Sequence, residues 1–273
     1  MNILVFTDLD GSLLNHDDYS FEEARPTLDR LRGAKIPLVF VTSKTRREVE
    51  PLQNRLGFRE PFIVENGGGI FVPRGYRSVS LPEEFREQGN FFVLALGLPY
   101  GRIRGVFAAM KSRFKITGYG DLSSQEVAVL SGLAVEEAER AKAREFSEPF
   151  LLKSVPDLPE LERLAAREGM KIVRGGRFYH LIGDRQDKGA AVRGVRSLYR
   201  GIFGMEHVAV GIGDSENDLP MLQEVDVPVL IPHPERGWLE ASLPGLVKAP
   251  EPGSRGWNEA LGRILDELEA DSP

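Results

Sequence analysis

Asp8 and Asp10 follow directly on the apolar run Ile3–Thr7 and precede Gly11 and Ser12. Side chains alternate along an extended segment, so the two carboxylates share a face while Leu9 turns back toward a core. Carboxylates this close repel unless a cation or a proton lies between them. The pair suits an all-oxygen Mg2+ site beside a phosphate, or a division of labour between an ionised nucleophile and a protonated acid. Gly11 allows the turn that brings backbone close to a ligand. Without any chemistry, the same residues make an ordinary surface turn.

Gly211-Ile212-Gly213-Asp214-Ser215-Glu216-Asn217-Asp218 also ends an apolar run. Ser215 and Asp218 stand at capping-box spacing, which explains them as a helix start. Asp214 is left over, at a strand end like Asp8. A dinucleotide fingerprint would need a third glycine where Asn217 and its neighbours stand. Thr42-Ser43-Lys44-Thr45 offers hydroxyls and amides at a strand-to-helix turn, which suit phosphate oxygens and serve equally well as helix caps. In Asp187-Lys188-Gly189 a lysine opens a predicted helix against the charge preference of a helix N-terminus; the plain alternative is a solvated side chain.

These residues need elements to hold them. The spacing predicts strands at Ile3–Thr7, Pro37–Val41, Phe62–Val64, His207–Ile212 and Val227–Ile231. It predicts helices at Phe21–Leu31, 46–56, Lys188–Arg200, Glu216–Glu224 and Trp257–Glu269. Glu65-Asn66-Gly67 reads as a sharp loop after the third strand. Between about 81 and 183 short strands and helices mix, and Phe91, Phe92 and Phe178 read as the core of an inserted unit. The expected fold class is α/β: a doubly wound, Rossmann-like parallel sheet (1–80 with 184–273) carrying an inserted α/β cap at 81–183.

The 273 residues suffice for both units, and 41% hydrophobic with 28% charged residues is ordinary globular composition. A net charge of -6 argues against nucleic acid or an anionic membrane as the main partner. With no cysteine there is no thiolate nucleophile, thiolate metal site or disulfide. The first apolar run is too short for a signal peptide, so cytoplasm is the default expectation.

In their order, Asp8–Ser12, Thr42 or Ser43, Lys188 and Gly213–Asp218 resemble the four motifs of the haloacid dehalogenase-like superfamily. The insertion and the Glu65-Asn66-Gly67 loop resemble its Cof-type branch. Val41-Thr42-Ser43-Lys44-Thr45 and Gly175-Gly176-Arg177-Phe178-Tyr179-His180-Leu181 are most similar to the mannosyl-3-phosphoglycerate phosphatase group of that branch. The sequence departs from the common Thr-Gly-Arg of the second motif, which leaves Thr42 and Ser43 both open as the phosphate-binding hydroxyl. The resemblance implies a Mg2+-dependent phosphomonoester hydrolase working through an aspartyl-phosphate. It implies Asp8 as nucleophile, Asp10 as acid and base, and Lys188 with Thr42 and Ser43 on the phosphate. Asp8, Asp10 and Asp214 would hold the metal, with Asp218, Asn217 and Ser215 orienting metal or lysine. Lys44, Glu65, Asn66, Gly67, Arg177 and His180 would meet the substrate, although His180 also fits a buried core histidine. The implied partner is a small phosphorylated sugar or glycerate derivative, and the implied product a compatible solute. A broader sugar-phosphate phosphatase, a phosphomutase and a phosphosugar-binding protein with a vestigial site remain alternatives.

Overall fold

The computed structural model describes residues 2–79, 81–175 and 177–270. The chain opens with β1 (Ile3–Thr7), α1 (Arg25–Ala34), β2 (Leu38–Phe40) and α2 (Arg46–Leu56). Next come β3 (Phe62–Val64), β4 (Gly69–Pro73), β5 (Arg86–Gln88) and β6 (Phe91–Ala95). A third stretch holds α3 (Tyr100–Lys111), β7 (Ile116–Gly118), α4 (Ser124–Ser131), α5 (Val135–Lys142), β8 (Glu148–Leu152), α6 (Leu158–Arg167), β9 (Met170–Arg174) and β10 (Tyr179–Gly183). The chain closes with α7 (Lys188–Phe203), β11 (Val208–Gly213), α8 (Leu219–Leu222), β12 (Val227–Leu230), β13 (Val247–Lys248) and α9 (Gly253–Ala270).

The main sheet is parallel, in the order β13-β12-β11-β1-β2. Ile3 and Val5 of β1 enter a core shared with α1, α2 and α9, while Leu4 and Phe6 enter a second core under α7. Helices on both faces explain why β1 is buried at every position and apolar from Ile3 to Phe6 instead of alternating with polar residues. From β1 the chain steps outward to β2 and later returns to β11 on the other side, so the strand order reverses between β1 and β11. In open α/β sheets that reversal leaves a crevice beyond the carboxyl ends of the strands. Asp8 stands one residue past β1, and Asp214 one residue past β11.

The fold is therefore α/β, a five-stranded parallel core with an inserted cap, and it departs from expectation in three places. Strand β3 is not laddered into the main sheet, to which the isolated Val41–Ile63 bridge joins it. It pairs antiparallel with β4 in a sheet ordered β3-β4-β6-β5. The cause is the turn: Glu65, Asn66 and Gly67 take φ of 51°, 58° and 87°, a left-handed run that reverses the chain at once. Phe91 is the second departure. It meets Phe62 and Phe71 with ring centroids 5.4 and 5.9 Å apart, in the main core. Phe92 packs against the core beneath α7. Neither is cap core, because β6 is tied by its ladder to β4.

The cap has its own antiparallel sheet, β7-β8-β10-β9. Ile103, Phe107 and Met110 of α3 and Leu161 and Ala165 of α6 bury against it. Helices α4 and α5 form a smaller cluster with Tyr119 and Phe178, whose rings lie 5.0 Å apart. The chain leaves for the cap at Leu96 and Gly97, whose amides both donate to the Gly68 carbonyl at 2.9 Å. It returns through Gly183–Gln186, beside the departing strand: a Cβ on Gly97 would lie 2.4 Å from the Gln186 side chain. Glu216–Glu224 is not one helix but a 3-10 turn followed by α8, with Pro220 in the first turn of α8. Among the described residues no helix is long and apolar enough to cross a membrane.

Candidate active site

Asp8 is placed by a backbone bond from its amide to Ile212 (2.8 Å) and by Thr7, whose hydroxyl donates to the Asp8 carbonyl at 2.7 Å. The Trp257 indole of α9 donates to that same Thr7 oxygen at 2.9 Å, so the last helix braces the strand end. Lys188 opens α7, which Asp187 caps by accepting the Ala190 amide at 2.7 Å. The lysine is 1% exposed. Its ammonium donates to Asp8 Oδ1 and to Asp218 Oδ1, each at 2.5 Å. Asp218 is fully buried, and its other oxygen accepts from the Asp214 amide, the Ser215 amide and the Ser215 hydroxyl. The capping box of Ser215 and Asp218 is thus real, and the same carboxylate also holds the lysine.

One carboxylate oxygen each from Asp8, Asp214 and Asp218 lies within 4.8 Å of the others. A single ammonium faces this cluster, and the charges respond accordingly. Burial first, then Asp218, pushes the Asp8 carboxyl up to about 7, against the pull of Lys188. Burial first, then Asp218 and Asp8, holds the Asp214 carboxyl well above the usual range. Burial opposes the charge on Lys188, but Asp218 and Asp8 outweigh it and keep the ammonium protonated. Asp214 Oδ1 is buried without a hydrogen-bond partner among the described residues. A hard divalent cation fits this donor set: it would satisfy the orphaned oxygen and neutralise the surplus charge. Asp218 has both oxygens engaged and serves to hold Lys188. Gly11 is obligatory here, with φ of 82° and room for no Cβ, which would stand 2.6 Å from Asp214 Oδ2.

The raised carboxyl pKa values fix the sign of a pH effect. Without a cation the folded site retains protons that the unfolded chain has released, so its contribution to stability falls as pH rises from about 4 to about 7. Bound metal replaces those protons. The rise in Tm on adding a divalent cation should therefore be larger at pH 8 than at pH 5.5. Equal shifts in scanning fluorimetry at the two pH values would show that these acids do not form the cation site.

The other expected residues divide. The Asp10 carboxylate lines the same cleft as Asp8 and pairs with Lys44 at 2.9 Å. Lys44 lies 5.0 Å over the Tyr19 ring and 3.9 Å from Glu48. Burial opposes its charge, but Asp10 and Glu48 hold its pKa above the ordinary value. Ser43 lines the cleft, whereas Thr42 is fully buried and its hydroxyl oxygen accepts the Lys44 amide at 3.1 Å. Thr45, not Thr42, caps α2, in a capping box with Glu48. Asn217 donates to Asn66 Oδ1 at 2.9 Å, which places Asn66 behind the cleft.

Glu65 and Gly67 do not line the cleft. Both Glu65 carboxylate oxygens are buried and occupied by cap donors, so nothing is left for a substrate. Gly67 is required by a close approach: a Cβ there would lie 2.0 Å from the Asp187 carbonyl. Arg177 sits at the exposed rim with its guanidinium on the Ser131 and Leu130 carbonyls. His180 lines the cleft at 5% exposure with an Nδ1 that has no partner among the described residues, and burial, then Arg144 and Lys188, press its pKa down to about 3. Gly176 lies outside the described residues.

Arg144 is the cleft residue that sequence reasoning missed. Its side chain is 5% exposed, and Nη1 donates to the Ser43 carbonyl at 2.7 Å. It stands between α5 and β8 in no motif, and it is held both by the cap, on the Ala141 carbonyl and over the Tyr119 ring, and by the core. Tyr19, Tyr119 and His16 also line the cleft and carried no spacing signal.

At the switch point a buried ammonium stands among carboxylates, under a cap that places an arginine in the cleft. A family profile described as haloacid dehalogenase-like hydrolase matches residues 5–81. The chain is 49% identical to the glucosyl-3-phosphoglycerate/mannosyl-3-phosphoglycerate phosphatase of Persephonella marina, over 98% of each chain. It is 42% identical to the protein of that name from Methanococcoides burtonii, over 97% of this chain and 98% of the other. The chain belongs to the haloacid dehalogenase-like hydrolases. Among solved structures it resembles the sucrose-phosphatase of Synechocystis in fold, with a TM-score of 0.61 at 16% identity, over 97% of this chain and 98% of that one.

Proposed function

We propose that the protein hydrolyses glycosyl-3-phosphoglycerates, mannosyl and glucosyl, to the glycosylglycerate and inorganic phosphate. The near full-length similarity to two proteins of that named activity supports the substrate. The observation that carries the mechanism is Asp8, buried at the switch point with Oδ1 on the Lys188 ammonium.

In this reading the free oxygen of Asp8 attacks phosphorus in line and the sugar-acid alkoxide leaves, forming an aspartyl-phosphate. Asp10 gives its proton to the departing oxygen. It then takes one from the water that cleaves the acyl phosphate, which returns Asp8 and releases phosphate. Lys188 and the Thr42 and Ser43 hydroxyls stabilise charge on the non-bridging oxygens. An Asp8 oxygen, the Asp10 backbone carbonyl and Asp214 would hold Mg2+, which would screen the repulsion between anionic nucleophile and anionic substrate. Asp218, with Ser215 and Asn217 around it, keeps Lys188 in place. Arg144, Arg177, His180 and Lys44 supply the cations and donors that a glycerate carboxylate needs.

Phosphate release from mannosyl- and glucosyl-3-phosphoglycerate, beside 3-phosphoglycerate and plain sugar phosphates, tests this with Mg2+ and with EDTA. The glycosyl-3-phosphoglycerates should exceed the plain sugar phosphates by about 100-fold or more in kcat/KM, because a site built to bind a charged group rejects analogues that lack it. Flat activity across the panel, or full activity in EDTA, would overturn the proposal.

A further inference from the structure

We infer that Glu65 is a positioning residue, whose buried carboxylate sets where the cap presents Arg144 to the substrate. The Glu65–Gly67 loop is bolted to the catalytic floor: the Glu65 amide donates to the Lys44 carbonyl and the Asn66 amide to the Thr42 carbonyl, both at 3.0 Å. Gln186, from the returning crossover, donates to the Glu65 carbonyl at 2.5 Å. Two successive non-glycine residues in the left-handed region persist only where their surroundings over-determine them. From this fixed base the side chain reaches into the cap. Oε1 accepts the Glu145 amide at 2.8 Å, and Oε2 accepts the Phe146 amide at 3.0 Å and the Ser147 hydroxyl at 2.6 Å.

All three partners are donors, so the ionised form is the one that satisfies them. The residue before this gripped segment is Arg144, whose guanidinium is buried in the cleft on the Ser43 carbonyl. The clamp therefore fixes the register of a cap arginine against the floor that carries Asp8. Glu65 touches no reacting atom and acts through Arg144. The inference rests on the proposed function in one respect, that the substrate has an anionic group for Arg144 to bind.

Glu65→Gln keeps the shape but turns an NH2 group toward donors, so part of the clamp opens. The KM for glycosyl-3-phosphoglycerate should rise about tenfold or more with kcat nearly unchanged. Hydrolysis of p-nitrophenyl phosphate, which has no acid group for the arginine, should be unaltered. Arg144→Met should raise the same KM, and the double variant should be no worse than Arg144→Met alone. An unchanged KM in Glu65→Gln, an equal loss on both substrates, or additive effects in the double variant would overturn the inference. If Glu65→Gln fails to fold, Ser147→Ala removes one donor from the same clamp, and an unchanged KM there would equally overturn it. If the wild-type protein rejects both glycosyl-3-phosphoglycerates, the substrate proposal fails by itself, and the KM split is then read on the best phosphorylated sugar acid.

Discussion

Asp8→Asn should lower turnover by about 10,000-fold or more, since an amide forms no acyl phosphate and loss of a nucleophile is rarely compensated. Acid quenching with radiolabelled substrate should trap phosphoprotein in the wild type and none in the variant. The same change should leave stability intact or raise it. Burial and Asp218 already push the Asp8 carboxyl up to about 7, so at pH 8 without metal its ionised form is crowded against like charge. Lys188 still keeps Asp218, 2.5 Å away, as its partner. An inactive variant that melts no lower than wild type at pH 8 would separate catalysis from folding at this position. Residual activity above about 1%, with labelled phosphoprotein still present, would remove Asp8 from the nucleophile's role.

Lys188→Met should fail in the opposite way, losing both activity and stability. The ammonium is 1% exposed and lies 2.5 Å from each of two carboxylates. Its removal leaves those acids buried and unpaired, which costs about 3–5 kcal/mol. Activity should fall by about 100- to 1,000-fold at least, the usual effect of deleting a transition-state donor. Adding Asp218→Asn should recover part of the stability, because one orphaned charge is gone, and none of the activity. Urea unfolding in metal-free buffer at pH 7.5 measures the first effect and phosphate release the second. A stability loss under about 1 kcal/mol would mean that solvent, and not Lys188, balances these acids.

The floor of the site was legible because each of its residues stands at the end of a strand or the start of a helix. Asp8, Asp214 and Lys188 are far apart in sequence, but sheet order brings strand ends together, and strand order follows from the alternation of apolar runs with helices. The geometry within the floor was less legible. Alternation put Asp8 and Asp10 on one face, and both line the cleft, but nothing in the spacing announces that Asp10 pairs with Lys44. Asp218 passed for a helix cap and is one, and nothing in its spacing announces the second bond to Lys188. The cap was least legible. Arg144 meets Ser43, about a hundred residues away, as well as Ala141 and Tyr119 of the cap, and a side chain placed by such contacts leaves no periodic trace in the sequence. Glu65 drew attention through its loop, but a carboxylate turned toward a ligand and one turned toward a neighbouring amide look alike in one dimension.

The neighbouring crossovers at Leu96–Gly97 and Gly183–Gln186 have a further consequence. An insertion whose two ends start and finish side by side adds little loop-closure entropy to the domain that hosts it, whatever its length. The main sheet closes through β1, β11 and β2 without any strand from the insert. Exchanging that segment for the equivalent piece of another member of the family would therefore leave the bond-breaking apparatus intact and alter only which molecules reach it. The places where a graft must match include the Gly68 carbonyl that receives the outgoing chain, the Gln186 side chain on the way back, the three donors that meet Glu65, and the bonds of Arg140, Arg144 and Glu145 to Thr45, Ser43 and Arg46.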